Sequence, residues 1–240
     1  VLPTRTIYEF EGPGVAVTLT FTTPALPEDM DLLSRPVTYL TTDVRATDGK
    51  KHAVQLFFDA SALLTVNTPG QEVTGARETW NGVEAVRIGS VEQRILGKKG
   101  DDLRIDWGYL YVAAPKSLGP VAALGAPEDL HKQFTAGNLD QLAQSQPTLP
   151  TAAPTLAGGM AFDLGKVGAE PVSAWLMLAY DDLYSIQYMK TNLRPYWRRD
   201  GWEAADLIAA SMEQYAAVQK RCIAFDDELM ADLTAAGGAG

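Results

Sequence analysis

Cysteine and histidine are almost missing from this chain, with one Cys (Cys222) and two His (His52 and His131) in 240 residues. A lone thiol excludes an internal disulfide. Two histidines far apart, neither with a Cys or His neighbour at ligand spacing, fit none of the usual zinc arrangements. H-E-x-x-H and the acidic calcium loop are absent as well, so neither a metal nor a cofactor is expected. Long apolar runs are lacking too. The longest, Ala174 to Tyr180, is about seven residues, whereas a spanning helix takes about 20. Positive charge is scarce: 20 Lys and Arg against 30 Asp and Glu leave a net charge of -10. That balance argues against a nucleic acid or an anionic membrane as partner, because both are held by an excess of Lys and Arg. G-x-S-x-G and S-x-x-K do not occur, and no glycine-rich loop leads from a strand into a helix. No leader peptide is visible, and Val1 opens directly into strand-like sequence, which reads as a piece of a longer protein.

What is present is alternation. In "GVAVTLTFTT", Val15, Val17, Leu19 and Phe21 share one face while Ala16, Thr18, Thr20 and Thr22 share the other, the pattern of a half-buried strand. The preceding "TRTIYEFE" joins it through Gly12-Pro13-Gly14, a hairpin signal. "HAVQLFFDASALLTV" keeps Val54, Leu56, Phe58, Ala60, Ala62, Leu64 and Val66 on one face and predicts one long core strand. Further strands are expected at 37–46, 76–80, 84–88, 103–113, 160–164 and 172–180, separated by turns such as Asp48-Gly49, Asn81-Gly82 and Gly100-Asp101. The last is apolar on both parities, which predicts a central strand covered on both faces. Many strands in series with short polar turns predict a mainly β chain, an antiparallel β-sandwich. A short inserted helix is expected at 126–134, and the Pro/Ala/Thr-rich segment 144–159 is expected to be a surface loop with nothing to bury.

The period then changes. Asp200 with Glu203 reads as a capping box. Beyond it Ile208, Met212, Tyr215, Val218, Cys222, Phe225, Leu229 and Leu233 recur every three or four residues. This predicts one amphipathic helix of roughly 30 residues, about 45 Å long. It is longer than a sandwich needs to close itself, so its stripe wants a partner, either a further domain or a second copy in a homodimer. Cys222 lies on that stripe and reads as a small buried apolar residue.

Two clusters are candidates for function. In "LRIDWGYLYVA", Trp107, Tyr109 and Tyr111 share one parity with Leu103 and Ile105. If exposed, they form a ladder for stacking sugar rings; if buried, they are core. In "AYDDLYSIQYMKTNLRPYWRRDGW", the adjacent Asp181 and Asp182 point to opposite faces of a strand, so the two cannot flank one bond. Catalytic carboxylate pairs come from separate segments across a cleft. Arg194, Arg198 and Arg199 follow closely, with Trp197 among them. The residues therefore read as an ion-paired joint, or an interdomain contact, where sandwich hands over to helix.

Five ordered blocks carry a resemblance: "RPVTYLTTDVRATDGKKHAVQLFFDASA", "GDDLRIDWGYLYVAAP", "FDLGKVGAEPVSAWLMLAYDDLYSIQYM", "LRPYWRR" and "AFDDELMADL". From about Pro36 to Leu233 the chain resembles the N-terminal region of glutaminase A-like proteins, large multidomain proteins of fungi and bacteria. The resemblance implies a β-sandwich over residues 1–198, then a linker helix over 199–240 leading to an all-helical toroid that holds the active cleft. The parent would be a hydrolase, amidohydrolase or glycoside-hydrolase-like, exported to the periplasm or outside the cell. The sandwich would pack on the toroid and shape its cleft. Since the chain ends at Gly240, before any toroid, the resemblance assigns no catalytic residue here. A carbohydrate- or cell-surface-binding module is the alternative reading.

Overall fold

The computed structural model describes residues 1–80 and 82–238. Two antiparallel sheets face each other, and a helical layer covers the outside of each. The larger sheet has eight strands: β1 (Arg5–Gly12), β2 (Val15–Thr22), β3 (Val37–Ala46), β5 (Glu72–Trp80), β6 (Val83–Ser90), β7 (Tyr109–Pro115), β9 (Thr151–Ala152) and β11 (Val172–Asp181). Their spatial order is β1-β2-β3-β11-β7-β6-β5-β9. The smaller sheet is β4 (His52–Ser61), β10 (Ala157–Val167) and β8 (Val121–Gly125), in that order. The described residues also form four α-helices: α1 (Met30–Leu33), α2 (Pro127–Thr135), α3 (Leu139–Gln144) and α4 (Ala204–Gly237).

Alternation along each strand builds the core between the sheets. Leu40, Val86, Ile88, Val112 and Leu176 of the large sheet meet Ala60, Leu124, Met160 and Phe162 of the small one. The opposite face of the large sheet is apolar as well. Tyr39, Val83, Ala85, Tyr111, Ala113 and Met177 lie under Leu207, Ile208, Val218 and Cys222 of α4. β11 sits mid-sheet between β3 and β7, with Leu176 buried on one side and Met177 on the other. Its continuous apolar run reflects that double burial. A third cluster, Ala123, Leu130, Leu142, Ala157 and Ala161, seats α2 and α3 on the outside of the small sheet.

Side chains fasten α4 along its length. Tyr39 donates its hydroxyl to Ser211 O at 2.9 Å, Thr41 and Tyr215 share a 2.7 Å hydroxyl contact, and Trp175 stacks on Tyr215 with centroids 3.8 Å apart. Burial pushes the Tyr39 hydroxyl up to about 12, so it stays a donor at any ordinary pH.

Four sequence expectations are corrected. The long strand at 52–66 stops at Ser61, whose Oγ accepts from Leu63 N and starts a short 3-10 turn over Ala62–Thr65. Leu64 consequently faces solvent. The strand at 103–113 begins only at Tyr109, because Gly108 takes φ +83°, off the β region. The segment 144–159 does bury residues: Ala153 and Leu156 are fully enclosed, and β10 already starts at Ala157. Gly158 and Gly159 are not turn residues there. A Cβ on Gly158 would lie 2.5 Å from Val86 Cγ1, and one on Gly159 2.1 Å from Phe58 O. The capping box at the head of α4 is Glu203 with Asp206, one turn later than Asp200 with Glu203. Helix α3 and the small hairpin of β12 (Ile186–Tyr188) with β13 (Thr191–Leu193) were not anticipated. Of the expected Asn81-Gly82 turn, Asn81 lies outside the described residues.

Candidate functional site

The joint forms where β11 ends. Asp181 closes the strand, and its carboxylate is buried. Seventeen positions on, Arg198 leaves a 3-10 turn (Tyr196–Arg198), and its guanidinium is equally enclosed. Arg198 donates through Nε to Asp181 Oδ1 at 3.2 Å and through Nη2 to Asp181 Oδ2, a bidentate pair. Its remaining nitrogen, Nη1, donates to Glu203 Oε2 and to Trp202 O at 3.2 Å. The Trp197 ring lies 4.5 Å from the guanidinium. The other acceptor site on Asp181 Oδ1 takes Leu183 N–H at 3.0 Å. A buried ion pair holds only when the remaining hydrogen-bonding sites are filled too. Here they are.

Electrostatics follow the contacts. Burial alone would pull the Arg198 guanidinium down, but its hydrogen bonds to Glu203 and Asp181 outweigh that and raise it. The same arginine, helped by Arg194, holds the Glu203 carboxyl below its ordinary value. Arg194 itself meets Glu203 at 2.9 Å and not Asp181. Arg199 turns outward to Asp31 and lies 4.2 Å from the Tyr196 ring. Asp182 is half-buried, and none of the three arginines reaches it.

Backbone packing seats the joint against the next loop. A Cβ on Gly108 would lie 2.2 Å from Asp181 O, so only glycine permits that approach. Gln93 holds the loop from both sides, donating to Ser90 O and Gly108 O and accepting from Gly108 N. In the same loop Asp106, also buried, is met by Lys98 and Gln71, each at 3.0 Å. The isolated "RID" of the sequence carried no sign of this buried acid.

The three aromatics do not form a ladder. Trp107 precedes the strand and donates its indole N–H to Tyr184 O at 3.2 Å. The Tyr109 ring faces the Arg87 guanidinium at 4.5 Å. Tyr111 is 6 % exposed, beneath α4. Beside the joint runs a groove of about 190 Å³ lined by Asp31, Arg35, Trp197, Arg199, Trp202 and Gln214. Its polar groups bind one another, Arg35 to Gln214 and Arg199 to Asp31.

Elsewhere His52 pairs with Asp48 and His131 with Asp59, both at the surface. Burial pushes the Cys222 thiol up, away from the nucleophilic thiolate. Among the described residues no three His, Cys, Asp or Glu side chains are grouped to hold a metal, and no helix is long and apolar enough to cross a membrane.

An antiparallel sandwich clasped by one long helix, with an ion-paired joint at the handover, is therefore the class of protein. The chain belongs to the family described as domain of unknown function (DUF5127), whose profile matches residues 4–232. No curated protein matches it. Among solved structures it is similar to a putative kojibiose phosphorylase from human microbiome, at 5 % identity and a TM-score of 0.42. That alignment covers 93 % of this chain and 23 % of the other, so the chain spans about a quarter of that protein's length.

Proposed function

We infer that this chain is the non-catalytic sandwich domain of a glutaminase A-like hydrolase. It packs against a following helical toroid and helps shape the toroid's cleft. Residues 1–198 form the sandwich, and 199–240 carry the helix that leads toward the toroid. The observation that carries this reading is how α4 ends. Its first turns are buried on the large sheet, but Met230 and Leu233 are exposed at 39 % and 54 %. There a groove of about 340 Å³ opens between Leu26, Pro27, Phe225 and Leu229. Apolar surface of this kind marks a contact site. The β12–β13 hairpin adds to it, with Ile186, Tyr188 and Met189 exposed and, among the described residues, no third strand to support it. The joint's charges are bound to one another, which suits a rigid support better than a group that moves protons.

The test compares the full-length parent with the isolated chain on glutamine and a glycan panel. Turnover is expected from the parent only. Turnover by the isolated chain that disappears on substituting one of its own residues would overturn the reading. In the parent, Leu229→Ser with Leu233→Ser is expected to lower activity while leaving the melting temperature of the isolated chain within a degree or two.

A further inference from the structure

The two sheets do not end together. On one flank the small sheet stops at β4, which among the described residues pairs only with β10. The large sheet stops at β1, which among the described residues pairs only with β2. β4 lies over β2 and β3, where an opening of about 140 Å³ is lined by Val17, Leu19, Leu40, Leu56, Phe58 and Phe162. β1 therefore projects beyond the small sheet like a shelf. Register puts Tyr8 opposite Leu19 and Phe10 opposite Val17, and directly opposed residues share a face. Tyr8 and Phe10 thus point to the core side, yet they are 49 % and 53 % exposed. Val54, Leu56 and Phe58 on β4 are only half-buried for the same reason. The result is a step with an apolar floor, one open strand edge at its riser and a second at its rim.

We propose that this step is an interface for a second copy of the same chain, with β1 of each copy adding to β4 of the other. Direction, height and charge each support that occupant. β1 and β3 run the same way, since both are antiparallel to β2. The end of β3 lies beside the start of β4, because Ala46 N donates to Gly168 O at 2.7 Å and the adjacent Val167 pairs with His52, so β4 runs opposite to β3 and to β1. A two-fold axis lying between the sheets and parallel to the strands preserves strand direction, and it makes both new pairs antiparallel. Such an axis also preserves height. The β1–β2 turn and the start of β4 are level, because Thr47 N donates to Gly14 O at 2.9 Å and a Cβ on Gly14 would lie 2.8 Å from the His52 ring.

Glu9 and Glu11 of one copy, both exposed, then lie beside the exposed Lys50 and Lys51 that lead into β4 of the other. Acidic ends of β1 meet basic heads of β4, twice. Tyr8 and Phe10 of the two copies close over Leu19, Leu56 and Phe58. A pairing of β4 with β4 is excluded, because the two shelves would occupy the same space. Each new sheet joins eight strands of one copy to three of the other. Both edges that invite unspecific pairing disappear.

Sedimentation equilibrium on the 240-residue chain from about 1 to about 100 μM tests this. A reversible dimer is expected. Phe10→Lys is expected to weaken it at least tenfold, roughly the cost of one desolvated charge in a strand interface, with the melting temperature of the monomer unchanged. Glu9→Lys with Glu11→Lys weakens it, as does Lys50→Glu with Lys51→Glu. Combining all four recovers the association, which only direct contact between these strands produces. A chain monomeric throughout the range, or a dimer indifferent to Phe10→Lys and dissociated by Leu233→Asp on α4, would overturn the proposal. Failure of the combined charge exchange to recover association overturns the register.

Discussion

Thr4 and Asp226 stand 222 positions apart, and the backbone N–H of Thr4 donates to Asp226 Oδ1 at 2.7 Å. The Thr4 hydroxyl reaches the same oxygen at 2.8 Å, and Arg5 Nε meets Oδ2 at 2.7 Å. Asp226 is fully buried on α4. The start of β1 and the seventh turn of the helix are thereby tied, so α4 is part of the folded unit for most of its length.

Asp226→Ala should therefore lower stability by about 3–5 kcal/mol, the usual cost of leaving one partner of a buried pair alone. Chemical denaturation measures it. A loss under about 1 kcal/mol, the value of an exposed pair, would show that the latch is wet in solution.

The neighbours Asp181 and Asp182 should respond unequally. Asp181→Asn strands the buried Arg198 and should cost about 3–5 kcal/mol. Asp182→Asn removes a carboxylate that no arginine reaches and should stay within about 0.5 kcal/mol. Equal melting temperatures for the two variants would contradict the bidentate geometry.

Glu203 supplies a pH signature. Its carboxyl is held below the ordinary 4.5, chiefly by the Arg198 hydrogen bond. A carboxyl lowered in the folded state stabilises the fold above its unfolded value, and that contribution is lost as pH falls through the lowered one. The difference in melting temperature between the unsubstituted chain and Glu203→Gln should thus be full at about pH 6 and shrink below about pH 4.5. A difference that grows on acidification would reverse the assigned sign.

Gly108→Ala should cost more than about 2 kcal/mol, since the new methyl meets a backbone oxygen and the φ is left-handed. Gly49→Ala is the control. Its φ is +76°, but nothing lies within 4 Å of the added Cβ, so only the conformational part remains, about 1 kcal/mol. Equal losses at the two positions would mean the loop yields and the close approach to Asp181 is soft.

Local periodicity made most elements legible. Alternation in "GVAVTLTFTT" reports strand faces directly, the unbroken apolar run "AWLMLAY" reports a strand covered on both faces, and spacings of three and four from Ile208 to Cys222 report the buried side of α4. These signals are local because side-chain direction depends only on backbone geometry. Two of the misreadings arose where a neighbour distant in sequence decided the outcome. Leu103 and Ile105 kept the strand parity, yet Gly108 had to bend for Asp181 O to approach, which ended the strand. "PTAAPTLAGG" has the composition of a loop, yet pairing with β5 and β4 draws it into the core.

The sequence by itself determined a sandwich of alternating strands, one long amphipathic helix and a lone thiol on its buried stripe. Tertiary structure alone decided which aromatics are core. Tyr111 is buried because α4 lies across the outer face of its sheet, a placement that strand periodicity cannot report. It also decided which arginine Asp181 takes. Arg194, Arg198 and Arg199 are chemically alike, but only the turn at Tyr196–Arg198 aims a guanidinium inward, past Trp197, where both carboxylate oxygens can be met at once. Partner choice among equivalent charges is set by where the backbone carries each one, and that depends on contacts made across the whole chain.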